Sequence, residues 1–305
     1  VIAAGRHSGY SRMTAVPFRL RLSRAAQTIA AYLFYGICAL LPLETASRFG
    51  GWIARTFMKR SRPTRTALAN LARAFPDKTE DERIKIVDRM WDNLGRVAAE
   101  YPHLHRIAAN IEMLGRENID AMRSKGEGAI FFGGHIGNWE IGPLASRLAG
   151  VPLQVVYRRP NNPGVDGLLR HARGKGADGS IAKGHEGARE ILRQLKSGGA
   201  VGMLVDQKLN EGLAIPFFGR PAMTAPAMAQ FAHRGGFGRY PIRVERLEGA
   251  RFRLTIHPPM AVDRQADRDA EVARVMAEAN RLLEGWIRER PEQWLWIHRR
   301  WPEST

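Results

Sequence analysis

The chain is 305 residues long and 44% hydrophobic, enough for one large α/β domain or two small ones around a sizeable core. Forty-seven Lys and Arg against 30 Asp and Glu leave a formal charge of +17, which implies an anionic partner: nucleic acid, an anionic membrane surface or an acidic substrate. With no zinc knuckle, no basic-aromatic ribonucleoprotein motif and no run of clustered Lys, nucleic acid is disfavoured; the single cysteine, Cys38, excludes an intramolecular disulfide and any zinc site built on several cysteines.

Residues 1–24 are rich in Gly, Ser and Arg at their start and read as a flexible basic N-terminus. Ala25 to Leu43 then carries no charge and follows Arg19, Arg21 and Arg24, on the borderline of the roughly 20 apolar residues that span a bilayer. It could cross a membrane, lie on one or pack internally; the arginines and Tyr32, Phe34 and Tyr35 favour membrane contact. A helix over Thr45 to Met58 completes a membrane-associated segment at 25–58, and no small-x-small cleavage site marks a signal peptide. Lys59 to Arg65 is a basic turn suited to phospholipid headgroups, with a solvated loop as the plain alternative.

From residue 59 to 305 a single α/β domain is expected. Thr66 to Phe75 is a short helix stopped by Pro76, and Thr79-Glu-Asp-Glu82 is a capping box for a helix with Val87, Met90, Trp91, Leu94 and Val97 at helical spacing. Ala129 to Phe132 reads as a buried strand and the segment after Asn138 as a helix. Strands at 153–157, 179–182 and 200–205 alternate with helices at 165–173 and 186–197. This alternation predicts a mostly parallel central sheet with helices on both faces and the site residues gathered at one edge. Ile215 to Pro221 is expected as a loop whose exposed aromatics line an apolar groove, with Thr224 capping a helix to about His233. Residues 239–245 and 251–257 form a β pair, and Val272 to Ile287 a long amphipathic helix.

The chemistry concentrates in Gly133-Gly-His-Ile-Gly-Asn-Trp-Glu140. His135 falls in the strand-to-helix turn, where open α/β folds place ligands. On one continuous helix Glu140 would point about 140° away from His135. With His135 in the loop, the Glu140 carboxylate can instead accept a hydrogen bond from one imidazole nitrogen, leaving the other to take a proton from a substrate hydroxyl. Gly133, Gly134 and Gly137 would allow a tight turn and bring backbone N–H groups to a developing oxyanion. Among nine His and 30 acidic residues a His-x4-Glu spacing arises readily by chance, commonly as a surface pair, so its placement after a strand and among glycines carries the weight. A metal hydrolase built on His135, Glu140 and His171 or His185 is the weaker reading, because no HExxH-type spacing exists.

Several further pieces stand in order along the chain: Asn70-Leu-Ala-Arg-Ala-Phe-Pro76, Val156-Tyr-Arg158 with Asn162-Pro163, Val205-Asp-Gln207, Pro216-Phe-Phe-Gly219 with Thr224, and Pro291-Glu-Gln-Trp-Leu-Trp-Ile-His-Arg-Arg300. Together with the His135 motif they resemble the bacterial lipid A late acyltransferases, the lauroyl/myristoyl transferase family within the glycerolipid acyltransferase superfamily. The resemblance implies transfer of a fatty acyl chain from acyl carrier protein, or acyl-CoA, to a hydroxyl of a lipid A precursor at the inner membrane, the site facing the cytoplasm or the membrane interface. It implies His135 as general base and Glu140 as its orienting partner, with no metal and no cofactor. Arg158 and Arg173 become candidates for substrate phosphates or the oxyanion, each with an ordinary surface arginine as the alternative. Asp206 and Gln207 could orient the site, although Asp206 could instead cap the next turn; Gly137, Asn138 and Thr224 complete the expected substrate-binding set. Trp294, Trp296 and Trp301 are packing or an interfacial belt rather than catalytic. Glycerol-phosphate acyltransferases typically carry Asp where Glu140 stands, and a later Phe-Pro-Glu-Gly-Thr motif that is absent here. That departure favours a glycolipid acceptor. Another glycolipid such as a phosphatidylinositol mannoside, and a non-catalytic protein binding anionic membrane lipid, are the alternatives.

Overall fold

The computed structural model describes residues 17–157, 159–174, 179–182 and 184–301. Helix α1 (Phe18–Leu40) is followed by α2 (Leu43–Met58), and Pro42 both ends the first and stands at the N-cap of the second. Only Cys38 of α1 is buried; Phe18, Leu22, Ile29, Leu33 and Leu40 are exposed, so α1 is not a core helix. No helix among the described residues is long and apolar enough to cross a membrane. Three arginines occupy the first turns of α1, leaving residues 25–40 uncharged, about 24 Å of helix against a hydrocarbon core of about 30 Å.

Ser61 caps α3 (Arg62–Ala74), accepting a hydrogen bond from Thr64 N with Pro63 in the first turn, so the basic turn at 59–65 is half helix. The expected capping box is formed, Thr79 and Glu82 exchanging hydrogen bonds at the start of α4 (Glu80–Glu100). Helices α2 and α4 approach so closely that a Cβ on Gly50 would lie 2.3 Å from the carbonyl oxygen of Gly95. The short α5 (Leu104–Ile107), edge strand β1 (Ile111–Leu114) and α6 (Arg116–Lys125) follow. None of the three is announced by a clear periodicity.

The chain then alternates as expected: β2 (Ala129–Gly133), α7 (Ile141–Leu148), β3 (Leu153–Tyr157), α8 (Pro163–Gly174), β4 (Ser180–Ala182), α9 (His185–Lys196) and β5 (Ala200–Leu204). A hairpin of β6 (Lys208–Phe217) and β7 (Arg220–Thr224) precedes α10 (Ala227–Gly235), the pair β8 (Gly238–Arg246) and β9 (Phe252–Ile256), and α11 (Arg268–Glu289). Among the described residues seven strands form one sheet in the order β1-β9-β8-β2-β5-β3-β4, parallel at every pairing except β8 with β9. Strand β2 lies at its centre and is buried on both faces. Ile130 and Phe132 join a core with Trp91, Met276 and Trp286 on one side, and Ala129 and Phe131 a second core with Ile119, Ile141 and Tyr240 on the other. The mostly parallel α/β sheet with helices on both faces is therefore present.

Two local expectations are corrected. Residues 215–221 are not an open loop but the β6–β7 hairpin, and Phe217 and Phe218 are buried against Trp294, Trp296 and Trp301. Thr224 ends β7, and Pro226 rather than Thr224 stands at the N-cap of α10.

Candidate active site at the carboxyl ends of the central strands

Strands β2 and β5 are parallel neighbours with Gly133 opposite Leu204, and the ladder extends as Val205 N donates to Gly133 O at 3.0 Å. Two residues beyond that pair on each segment, at the same end of the sheet, stand His135 and Asp206. Their meeting follows from the register. The Asp206 Oδ1 atom accepts from His135 Nδ1 at 2.8 Å, while Oδ2 accepts from the His135 backbone N–H at 2.8 Å and the Trp294 indole N–H at 2.7 Å. Burial alone would raise the Asp206 carboxyl, but the imidazole and these donors outweigh it and hold it well below the usual carboxylate range. A carboxylate at Nδ1 fixes the proton there and leaves the Nε2 lone pair facing the cleft. The Gln207 amide nitrogen lies 3.1 Å from that Nε2 and 3.1 Å from Nε2 of His298. Burial, then the neighbouring His135, lower the pKa of His298, so it accepts from Gln207 as a neutral ring.

The Glu140 carboxylate does not reach His135. At the N-cap of α7 it faces α8, where Arg173 grips it through Nε at 2.7 Å and Nη2 at 2.6 Å, and the Trp139 indole donates to it at 3.0 Å. Asp206 takes the position against the imidazole that the spacing assigned to Glu140. The Arg173 guanidinium also lies over the Tyr157 ring at 5.7 Å. Burial works to lower the pKa of Arg173, but the ion pair with Glu140 raises it well above the ordinary value. Arg173 is thus the counter-charge of Glu140, and both still line the cleft beside His135.

The turn between them is held from below. Gly137 has φ +61°, and a Cβ there would lie 2.7 Å from the carbonyl oxygen of Val244, so both conformation and space require glycine. Three backbone N–H groups of this loop already have partners: His135 N with Asp206, Ile136 N with Gly134 O, and Gly137 N with Gln293 O. Asn138 is fully buried, its amide donating to Glu100 at 2.8 Å and its oxygen accepting from Glu140 N at 3.2 Å. Glu100 is in turn gripped by Arg246 at 2.5 and 3.0 Å, and Arg246 holds Asn93, which donates to Gly137 O at 2.9 Å. Asn138 therefore positions the turn rather than presenting itself to a substrate. Thr224, likewise fully buried, donates to Ala222 O and accepts from Arg300 at 2.8 Å. Arg158 lies outside the described residues.

His135, Trp139, Glu140, Arg173 and Gln207 open onto a cleft of about 260 Å³. Through shared walls at Val156, Met203 and Leu204 it adjoins a chamber of about 780 Å³ extending past Ile191 and Phe231. Among the described residues no group of three or more His, Cys, Asp or Glu could hold a metal ion. The residues missed from sequence are His298, Glu100 and Arg246. His298 carried a signal within the C-terminal motif; the other two carried none, since their roles depend on packing between α4 and β8.

The sequence was compared with known proteins. It is 27% identical to the lipid A biosynthesis lauroyltransferase of Escherichia coli over 275 residues, covering 85% of this chain and 86% of that protein. It is 27% identical to the lipid A biosynthesis myristoyltransferase of the same organism over 84% of this chain and 78% of that protein. To a lipid A biosynthesis acyltransferase of Haemophilus influenzae it is 24% identical over 87% of this chain and 84% of that protein. The sequence model of the family described as bacterial lipid A biosynthesis acyltransferase matches residues 17–303. With nearly the whole chain matched, the protein belongs to the bacterial lipid A biosynthesis acyltransferase family and is an acyltransferase, working between an acyl donor and a lipid acceptor.

Proposed function

We propose that the protein transfers a fatty acyl chain from an acyl carrier protein thioester, or acyl-CoA, to a hydroxyl of a lipid A precursor, either on the sugar or on an acyl chain already attached. His135 acts as general base. The observation that carries this reading is an imidazole whose Nδ1 is fixed by a buried carboxylate while its Nε2 faces an open, largely apolar cleft. The acceptor hydroxyl displaces the Gln207 amide, gives its proton to Nε2 and attacks the thioester carbonyl. The tetrahedral intermediate collapses to the ester, and the departing thiolate takes the proton from the imidazolium, which Asp206 has stabilised meanwhile. The Gln207 amide and the Arg173 guanidinium, both in the cleft wall, serve the oxyanion as side-chain donors. The acyl chain lies in the apolar walls leading to the larger chamber.

The acceptor is a membrane lipid, and the protein meets it at the inner-membrane surface. Exposed Phe18, Leu22, Ile29, Leu33 and Leu40 on α1, with Trp52 and Phe57 on α2, suit an interfacial helix pair, and the basic residues at 19–24 and 59–65 suit anionic headgroups. Helix α1 also touches the site's own scaffold, since Thr28 donates to Asn162 Oδ1 at 3.0 Å just before α8, the helix that carries Arg173. The test is incubation of the full chain with vesicles, a set of acyl thioesters and candidate glycolipids, with the product read by mass. An added acyl group on a lipid A precursor supports the reading; acylation of a phosphatidylinositol mannoside alone favours the other glycolipid, and no product from any pair removes it.

A further inference from the structure

Asn162 is buried just before α8 (Pro163–Gly174), and its amide uses every hydrogen-bonding position it has. Its Oδ1 accepts from Gly164 N at 3.0 Å and its backbone oxygen from Asp166 N at 3.0 Å, so it caps the helix. The rest of the side chain is turned to α1. Nδ2 donates to Arg24 O at 2.8 Å and to Gln27 Oε1 at 3.2 Å, and the Thr28 hydroxyl lies 2.9 Å from Arg24 O and 3.0 Å from Oδ1. The two helices run close here, since a Cβ on Gly164 would lie 2.4 Å from Thr28 Oγ1. A cap needs only the acceptor, so the two donors aimed at α1 serve something else.

Arg173 stands at the far end of α8, where it grips Glu140 in the cleft wall and brings Nη2 to 3.5 Å from the Tyr101 hydroxyl. Tyr101 opens the single turn Tyr101–His103, and His103 Nε2 donates to Cys38 O, in the last turn of α1, at 2.9 Å. Helix α1 therefore reaches the Glu140–Arg173 pair by two routes, through Asn162 at the start of α8 and through His103 and Tyr101 beside its end. Only Cys38 of α1 is buried, so little apolar packing fixes this helix and the polar ties set its place.

We infer that Asn162 is a positioning residue for acyl transfer: it fastens α1 to α8 and so sets where Arg173 and Glu140 stand in the cleft wall beside His135. The inference rests on the acyltransferase reading of that cleft. A rigid helix carries a displacement at its first turn to its last, and a guanidinium moved by a fraction of an ångström loses its alignment with a developing oxyanion. On that reading α1, with Leu22, Ile29 and Leu33 exposed towards lipid, is a part of the site's frame as well as an anchor.

The experiment uses the full chain and two substitutions that separate the cap from the tie. Asn162→Asp keeps the acceptor that caps α8 but sets a carboxylate against the Arg24 and Gln27 oxygens, whereas Asn162→Ala removes cap and tie together. Asn162→Asp should lower kcat about tenfold or more while binding to phosphatidylethanolamine/phosphatidylglycerol vesicles is unchanged. In an Arg173→Gln background it should cost nothing further, because both substitutions act through one guanidinium. Wild-type kcat in Asn162→Asp, a loss confined to Asn162→Ala, a loss that multiplies with that of Arg173→Gln, or one accounted for by weaker vesicle binding would overturn the inference. A second measurement needs no substrate: the coupling between Glu140 and Arg173 in urea denaturation should fall to about half or less when the cycle is repeated in Asn162→Asp. Undiminished coupling overturns the tie, and diminished coupling supports it even where no acyl product forms. Thr28→Val, which alters α1 and leaves α8 untouched, should repeat both effects in weaker form; no effect on either counts against the tie.

Discussion

The imidazole of His135 donates its Nδ1 hydrogen bond to a carboxylate 71 residues further along the chain, Asp206, with 2.8 Å between Nδ1 and Oδ1. Glu140, five residues away, turns instead to Arg173. The two acidic residues thus divide the work: one sets the tautomer of the His135 imidazole, the other holds a guanidinium beside the cleft.

Asp206→Asn keeps the shape but replaces an acceptor with a group that can donate, which favours the wrong imidazole tautomer. The expected result is a fall in kcat on the order of 10³–10⁴-fold, with a folded protein by circular dichroism. Unchanged kcat would show that His135 needs no orienting carboxylate.

The Glu140–Arg173 pair is mostly buried, with side-chain exposures of 5% and 20%. Removing one partner strands the other, so Glu140→Gln or Arg173→Gln alone should each cost about 3 kcal/mol of stability, and the double variant clearly less than the sum. Urea denaturation of the four proteins in the cycle measures the coupling. Additive losses would mean that the pair is not a unit.

How much of this was legible follows from the kind of signal each feature leaves. Strand β2, the alternation through β5, the capping box at Thr79 and the placement of His135 in a strand-to-helix turn all leave local patterns, and all are present. The partner of His135 is not a local matter. It depends on β2 and β5 being parallel neighbours with Gly133 opposite Leu204, a register that no spacing within one segment encodes. Phe217 and Phe218 look like groove-lining loop residues in sequence because the tryptophans that bury them come from the far end of the chain. Glu100 and Arg246, 146 residues apart, leave no mark at all until α4 is packed on β8.

Gly137 and Gly126 have nearly the same backbone, φ +61° and +63°, but only Gly137 has a neighbour in the way, with Val244 O 2.7 Å from where an alanine methyl would stand. Gly126→Ala should cost about 1–2 kcal/mol from backbone strain alone. Gly137→Ala adds the clash and should cost more, while also displacing His135 and lowering kcat. Thermal denaturation of both variants, with kcat for each, checks the contrast; equal costs would remove the argument from space.

Because the folded state holds the Asp206 carboxyl below its ordinary value of 3.8, the unfolded chain takes up that proton more readily. The resulting stabilisation is present above about pH 4 and fades as the pH falls towards the lower native value. The denaturation midpoints of the wild type and Asp206→Asn should therefore differ most near neutral pH and converge below pH 3.8. A gap that stays constant down to about pH 2 would contradict the ionised carboxylate.

The most direct measurement is single-turnover acyl transfer from a thioester to a lipid A precursor in vesicles, followed by product mass for the wild type and His135→Ala. The account predicts one added acyl chain with the wild type and a rate at least about 10³-fold lower with the variant. Transfer at the wild-type rate by His135→Ala would contradict it.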